Sequence, residues 1–277
     1  MSDLPVPPRE MRLWVGPFGN EELFRRSGRE TVALLESMCE LRPDHAVLDV
    51  GCGCGRVALA LADFLSPAGR YLGFDAGLPP VEWCKEHIEP RRPNFRFVHV
   101  DVRHPGYHPG GTVSPEVFPF PCESATFDIV LLSSIFTHLL PAAVEAYTRE
   151  VARVLRPGGR CLISYLLMNE AAREAVATGA TIFDFRHWLG PCATFAPGEP
   201  TEGLAYREDY ALGLLRASGL EVEEVRYGDW RRVRSYEIQH DWVAAVRTGA
   251  ERPNEPLQQP AGSASGGRTR PVLVRRR

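Results

Sequence analysis

The chain lacks any apolar run approaching the roughly 20 residues needed to span a bilayer. Its first ten residues, MSDLPVPPRE, lack the basic start and apolar stretch of a secretory signal, so a cytoplasmic protein with no membrane partner is expected. It has no excess of positive charge: 32 Lys and Arg face 35 Asp and Glu, for a net charge of −3. That balance gives no general affinity for nucleic acid or anionic lipid. Seven cysteines, an odd number scattered through apolar stretches, predict reduced and mostly buried thiols rather than a disulfide framework. Cys52 and Cys54 are two apart, and no second Cys or His pair stands at a zinc-like spacing, so no metal is expected. No internal repeat is present. What remains, with 277 residues, is room for one large α/β domain or for one domain with small additions.

Strand and helix patterns alternate along that domain. Phe24, Val32, Leu35 and Met38 fall on one helical face. AVLDV (46–50) reads as a short buried strand, RVALALADFL (56–65) as a helix, YLGFD (71–75) as a second strand, PPVEWCKEHIE (79–89) as a helix opened by proline and FRFVHVD (95–101) as a third strand. The stretch 104–121 is too rich in Pro and Gly to be regular. FDIVLLSSIF (127–136) is the near-continuous apolar run of a central parallel strand. In the helix that follows, Val144, Tyr147, Val151, Val154 and Leu155 form one stripe, and CLISYLL (161–167) is the fifth strand. Residues 169–205 read as an irregular cover. A helix at 207–219 then precedes two late strands, LEVEEVRYG and HDWVAAVRT, with only a loop between them. Alternation closed by such a pair implies a parallel sheet finished by an antiparallel hairpin.

The most informative stretch is VLDVGCGCGR (47–56), a strand that ends at an acid and breaks into glycines. A metal-binding cysteine pair, a nicotinamide-dinucleotide loop and a pocket for another nucleotide-like cofactor compete for it. The dinucleotide fingerprint G-x-G-x-x-G requires a third glycine where Arg56 stands, whereas Gly51, Gly53 and Gly55 follow G-x-G-x-G. An acid before the loop also suits a cationic or hydrogen-bond-donating ligand better than a pyrophosphate.

VLDVGCGCGR resembles the first motif of the class I S-adenosylmethionine-dependent methyltransferases. YLGFDAG resembles their second, VHVDVR their third, FPCESATFDIVLLSSIFTHLLP the stretch around their fourth strand, and VLRPGGRCLIS the turn before the fifth. The resemblance runs in order from about Arg42 to Ser164. It implies a Rossmann-like, doubly wound, seven-stranded, mostly parallel sheet with an antiparallel C-terminal strand, and S-adenosyl-L-methionine as cofactor. By the same resemblance, Asp49, Cys52 and the backbone at Gly51 and Gly53 hold the methionine portion. Asp75, with Ala76 beside it, accepts from the ribose hydroxyls. Asp101 and the N–H of Val102 read the adenine edge, and Ser133 lies near the methionine end. Asp75 and Asp101 have an alternative reading as caps of a helix or turn.

The Asn/Asp-Pro-Pro-Tyr/Phe signature of amine methylation in nucleic acids and glutamine side chains is absent, since the corresponding stretch reads LLSSIFTH. No carboxylate ends that strand, where metal-dependent catechol-type enzymes place a magnesium ligand. His138 follows the strand and is the candidate base for a hydroxyl acceptor, or else a histidine at a helix start that packs or caps. His187, His240 and Asp241 are weaker candidates. A small-molecule acceptor is expected, its hydroxyl on a sugar, glycan precursor or secondary metabolite. A small amine and a non-catalytic cofactor-binding protein remain alternatives. Trp14 and Phe18, in an N-terminal arm (1–40), are candidates to lie against the cofactor. Phe183, Phe185, Trp188 and Phe195 in the cover are candidates to line an acceptor pocket or to form the cover's own core. The domain proper spans 41–248. The tail 249–277, with six arginines against two glutamates, is expected to be disordered.

Overall fold

Asp49 and Val50 end the first strand inside a sheet that is covered on both faces, and the rest of the architecture follows from that placement. The computed structural model describes residues 4–232, 240–249 and 273–275. Its strands are β1 (Ala46–Val50), β2 (Arg70–Asp75), β3 (Phe95–His99), β4 (Phe127–Leu132), β5 (Leu155–Tyr165), β6 (Leu167–Met168), β7 (His187–Leu189), β8 (Cys192–Thr194), β9 (Leu204–Arg207), β10 (Leu220–Arg226), β11 (Asp241–Arg247) and β12 (Leu273–Arg275). Its helices are α1 (Arg9–Trp14), α2 (Glu21–Cys39), α3 (Arg56–Phe64), α4 (Leu78–His87), α5 (Pro141–Val154), α6 (Glu170–Ala177) and α7 (Glu208–Ala217). The main sheet has the order β12-β10-β11-β5-β4-β1-β2-β3, and β11 runs antiparallel to both β5 and β10. This is the Rossmann-like, mostly parallel sheet expected, with its seven strands and an eighth short one added.

Strand order reverses between β1 and β4, so the ends of these two strands open the crevice where such sheets bind ligands. Both strands are buried throughout, and their side chains alternate between two cores. Val47, Ile129, Leu131 and Leu162 pack toward α2, α3 and α4. Leu48, Val50, Val130, Leu132 and Ile163 pack toward α5 and α7. Asn20 caps α2, its side chain accepting from the Leu23 N–H at 3.0 Å. Gly28 lets α2 lie close on α3: a Cβ there would stand 2.3 Å from the Arg56 carbonyl oxygen.

Two expectations change. Residues 169–205 are not irregular. They carry α6, β7 and β8, and with β6 and β9 they form a second sheet, β6-β9-β8-β7. Its strands are only two to four residues long, too short to show a period of two. Its core contains Phe185, Ala193, Ala205 and Trp230. The tail, in turn, is not wholly irregular: β12 pairs parallel with β10 between Glu224–Arg226 and Leu273–Arg275. PVLV is the tail's one apolar, β-branched run, and β10 otherwise offers a free edge. Apart from Gly249, the rest of the tail lies outside the described residues. Six cysteines are buried and Cys122 is half-buried, all of them free thiols. Among the described residues, no helix is long and apolar enough to cross a membrane.

Candidate functional site

A cleft of about 1830 Å³ lies over the ends of β1, β2 and β4, lined by the glycine turn, the N-terminal arm and the cover. Gly51, Gly53 and Gly55 take φ of 74°, 51° and 83°, the left-handed region that a side chain disfavours. Gly51 is also tightly approached, since a Cβ there would meet Ile135 Cδ1 at 2.0 Å. The turn is tied to β2: the N–H groups of Gly51 and Cys52 both donate to the Phe74 carbonyl, at 2.8 and 3.1 Å. Asp75 completes the tie, accepting from Gly53 N at 2.8 Å and from Gly77 N at 2.7 Å. Each of its oxygens keeps a further lone pair for a ligand hydroxyl.

Asp49 is buried at the floor and accepts from the Tyr71 hydroxyl at 2.8 Å. Burial pushes its pKa up to about 6, against the opposing pull of Tyr71 and the Arg56 cation. A buried carboxylate held this high is poorly neutralised by its surroundings and is complementary to a bound cation. Arg56 supplies the reverse. Its guanidinium donates to Ser27 O (3.2 Å), Thr31 Oγ1 (3.1 Å) and Ser133 Oγ (2.8 Å), and lies 5.4 Å from the Phe18 ring centroid. It has no carboxylate within ion-pairing distance among the described residues and lines the cleft. The sequence displayed Arg56 only as the residue that spoiled a dinucleotide fingerprint. Its turn back toward α2 is a tertiary fact.

Of the other expected cofactor residues, Cys52, Ala76, Val102 and Ser133 line the cleft. Asp101 does not. Its carboxylate is half-exposed and accepts from His108 Nε2 at 2.9 Å, from Thr112 N at 3.3 Å and from Thr112 Oγ1, closing the base of the loop 102–112. The loop carries its own donors for that acid.

His138 sits in a 3-10 turn, Phe136–His138, half-buried in the cleft wall. Its Nδ1 is 2.9 Å from the carbonyl oxygen of Thr201 in the cover. A carbonyl only accepts, so Nδ1 carries the proton and Nε2 keeps a lone pair. Burial holds the ring below the ordinary histidine pKa, which keeps it neutral at physiological pH. His240 also lines the cleft. Asp241 and His187 are elsewhere. Asp241 is fully buried, accepting from Leu167 N, Gly228 N, Trp230 Nε1 and Arg231 Nη2 at 2.7–2.9 Å, while His187 is exposed on β7.

The arm covers the mouth. A Cβ on Gly53 would touch Val15 Cγ1 at 2.6 Å. The Trp14 ring lies 6.3 Å from Tyr107, and Tyr107 lies 6.2 Å edge-on to His138. In the cover, Phe183 and Phe195 are stacked at 4.6 Å and line the cleft. Phe185 belongs to the cover's core, and Trp188 faces out beside Arg173. No group of three or more potential metal ligands occurs among the described residues.

Residues 47–159 match a family described as a methyltransferase domain. The uncharacterized methyltransferase YcgJ of Bacillus subtilis is 31% identical over 158 residues, 57% of this chain and 52% of that protein. Nocamycin O-methyltransferase of Saccharothrix syringae is 30% identical over 141 residues, 50% of this chain and 42% of that protein. The chain thus spans about half or less of the length of these curated relatives. Among solved structures, the 1,6-didemethyltoxoflavin-N1-methyltransferase of Burkholderia thailandensis, with 1,6-didemethyltoxoflavin and S-adenosylhomocysteine bound, aligns with a TM-score of 0.54 at 21% identity. That alignment covers 89% of this chain and 93% of that one, a likeness of fold.

Proposed function

We propose that the chain is a class I S-adenosylmethionine-dependent methyltransferase and that it methylates a hydroxyl of a small molecule. The observation that carries the hydroxyl reading is the tautomer of His138: a neutral imidazole with Nδ1 committed to Thr201 and its Nε2 lone pair left over in the cleft.

The residues present fit the cofactor. Asp49 suits its ammonium and Arg56, a half-buried cation with no ion pair among the described residues, its carboxylate. Gly51, Cys52 and Gly53 form the cradle, and Asp75 beside Ala76 offers lone pairs to the ribose. With Asp101 engaged by His108 and Thr112, the adenine edge falls to the backbone around Val102. When bound, S-adenosylmethionine supplies a methyl group already activated by the sulfonium. The arm, from Leu13 onward, and the cover, residues 169–205, exclude water and hold the acceptor oxygen in line, which is catalysis by positioning. His138 Nε2 takes the hydroxyl proton as the oxygen's lone pair forms the new bond to carbon. The electron pair of the broken C–S bond stays on sulfur, and no metal enters this scheme.

Calorimetric titration with S-adenosylhomocysteine tests the first half. Micromolar binding is expected, weakened at least about tenfold, or about 1.4 kcal/mol, by Asp75→Ala. A folded wild type that binds nothing overturns the reading. Turnover on a panel of hydroxyl and amine acceptors, lost in His138→Ala with S-adenosylhomocysteine binding intact, tests the second half. Activity on amines alone, indifferent to His138→Ala, refutes the hydroxyl assignment.

A further inference from the structure

Two consecutive serines follow β4, and they bind different things. Ser133 Oγ accepts from Arg56 at 2.8 Å. Ser134 Oγ lies 3.2 Å from His240 Nδ1, and its backbone N–H donates to Ser164 Oγ at 2.7 Å. Ser134 has φ of 60°, one of only three non-glycine residues in the left-handed region among those described. Such backbone persists where the surroundings over-determine it, and it clusters at functional sites. His240 is fixed from behind as well. Asp241, the next residue, is clamped by four donors from Leu167, Gly228, Trp230 and Arg231. The ring therefore stands on a rigid strand end and is steered by a strained turn. It lines the same cleft as Arg56 and His138, and is tied to the turn that also holds Arg56 through Ser133.

We propose that His240 is a second acceptor-binding imidazole: it donates Nδ1–H to Ser134 and offers its Nε2 lone pair to a second O–H or N–H of the acceptor, beside the hydroxyl that His138 deprotonates. This rests on the methyltransferase reading above and narrows it. The substrates are molecules with a hydrogen-bond donor next to the methylated oxygen, such as diols, catechols or amino alcohols. Burial and its two neighbours push the His240 pKa down to about 4, so the lone pair persists at physiological pH.

The test needs no acceptor. Sinefungin carries an ammonium group where the cofactor carries its transferable methyl, and S-adenosylhomocysteine carries nothing there. Calorimetry on the full chain should find sinefungin the tighter ligand, with His240→Ala weakening it about tenfold and leaving S-adenosylhomocysteine within about twofold. His240→Gln, whose amide oxygen accepts, should restore part of the difference, and Ser134→Ala should lose part of it. An unchanged sinefungin preference in a folded His240→Ala overturns the proposal. So does equal loss of both ligands, which makes His240 structural. A wild type that binds neither ligand removes the cofactor reading itself, and this proposal with it.

Discussion

If Asp49 meets the cofactor's ammonium as proposed, it makes cofactor binding pH-dependent in a calculable way. Its folded pKa of about 6 lies above its ordinary value of 3.8 because burial penalises the carboxylate. An ammonium bound beside it reverses that penalty, so binding requires the ionised form. If the bound acid titrates in the ordinary carboxylate range or lower, affinity falls about tenfold from about pH 7.5 to about pH 5, or about 1.4 kcal/mol. The folding linkage has the opposite sign. The ligand-free native state binds the extra proton, so its stability falls as pH rises from 3.8 to about 6, by about 3 kcal/mol in total. Asp49→Asn removes both effects and keeps an acceptor for the Tyr71 hydroxyl. The assay is calorimetric titration with S-adenosylhomocysteine at several pH values across this window, on wild type and variant, with parallel urea melts. A flat wild-type profile, or a slope that survives Asp49→Asn, would refute the claim that this acid meets the ligand's cation.

Other consequences are as direct. Arg56→Met keeps the stem's packing and removes the charge, so S-adenosylhomocysteine should bind about 10- to 100-fold more weakly, as expected for losing a charge-assisted hydrogen bond of about 1.5–3 kcal/mol. An analogue without the carboxylate should bind both proteins equally, and equal losses for the two ligands would make Arg56 merely structural. Gly51→Ala places a methyl 2.0 Å from Ile135 Cδ1 at φ 74° and should cost about 2–4 kcal/mol in urea melts. The same substitution in an Ile135→Val background should recover part of that. Asp241→Ala strands the buried Arg231 and should cost about 3–5 kcal/mol, read as a large fall in melting temperature with any residual folded protein losing the His240-dependent sinefungin preference.

Where the signal is local, the sequence was a sufficient guide. The central strands β1 and β4 declare themselves by near-continuous apolar runs, because burial on both faces leaves little place for polar residues. Asp49 and Asp75 declare themselves because each interrupts or ends such a run. The cover failed to show itself for the opposite reason. Its strands are held by pairing across long separations, as where Leu167 meets Tyr206, and two to four residues cannot carry a period. The place of Asp101 after β3 is legible in the sequence, whereas its partners in the structure, His108 and Thr112, lie seven and eleven residues on in a stretch with no pattern at all. Arg56 and His240 were visible as letters, but the direction of each depends on an element that sequence spacing does not locate: α2 for one, the turn after β4 for the other.

That turn is where the two halves of the site meet, and the sheet order explains why. Ligands gather where strand order reverses, here between β1 and β4, so the segment leaving β4 lines the cleft and then contacts the ends of β5 and β11. Ser133 is early enough to reach Arg56 at the start of α3. Ser134, one residue later and turned by its positive φ, reaches Ser164 on β5 and His240 before β11. A regular extended strand would also send two successive side chains to opposite faces, but it could not leave the sheet and keep both in the cleft. The strain at Ser134 is thus the local cost of making one short turn serve a cation on the cofactor side and an imidazole on the acceptor side. It follows that Ser134→Gly, which relieves the backbone, should stabilise the turn conformationally while still losing the His240 contact. Strain and function at this position can therefore be separated by one substitution, with Ser134→Ala as the control that keeps the strain.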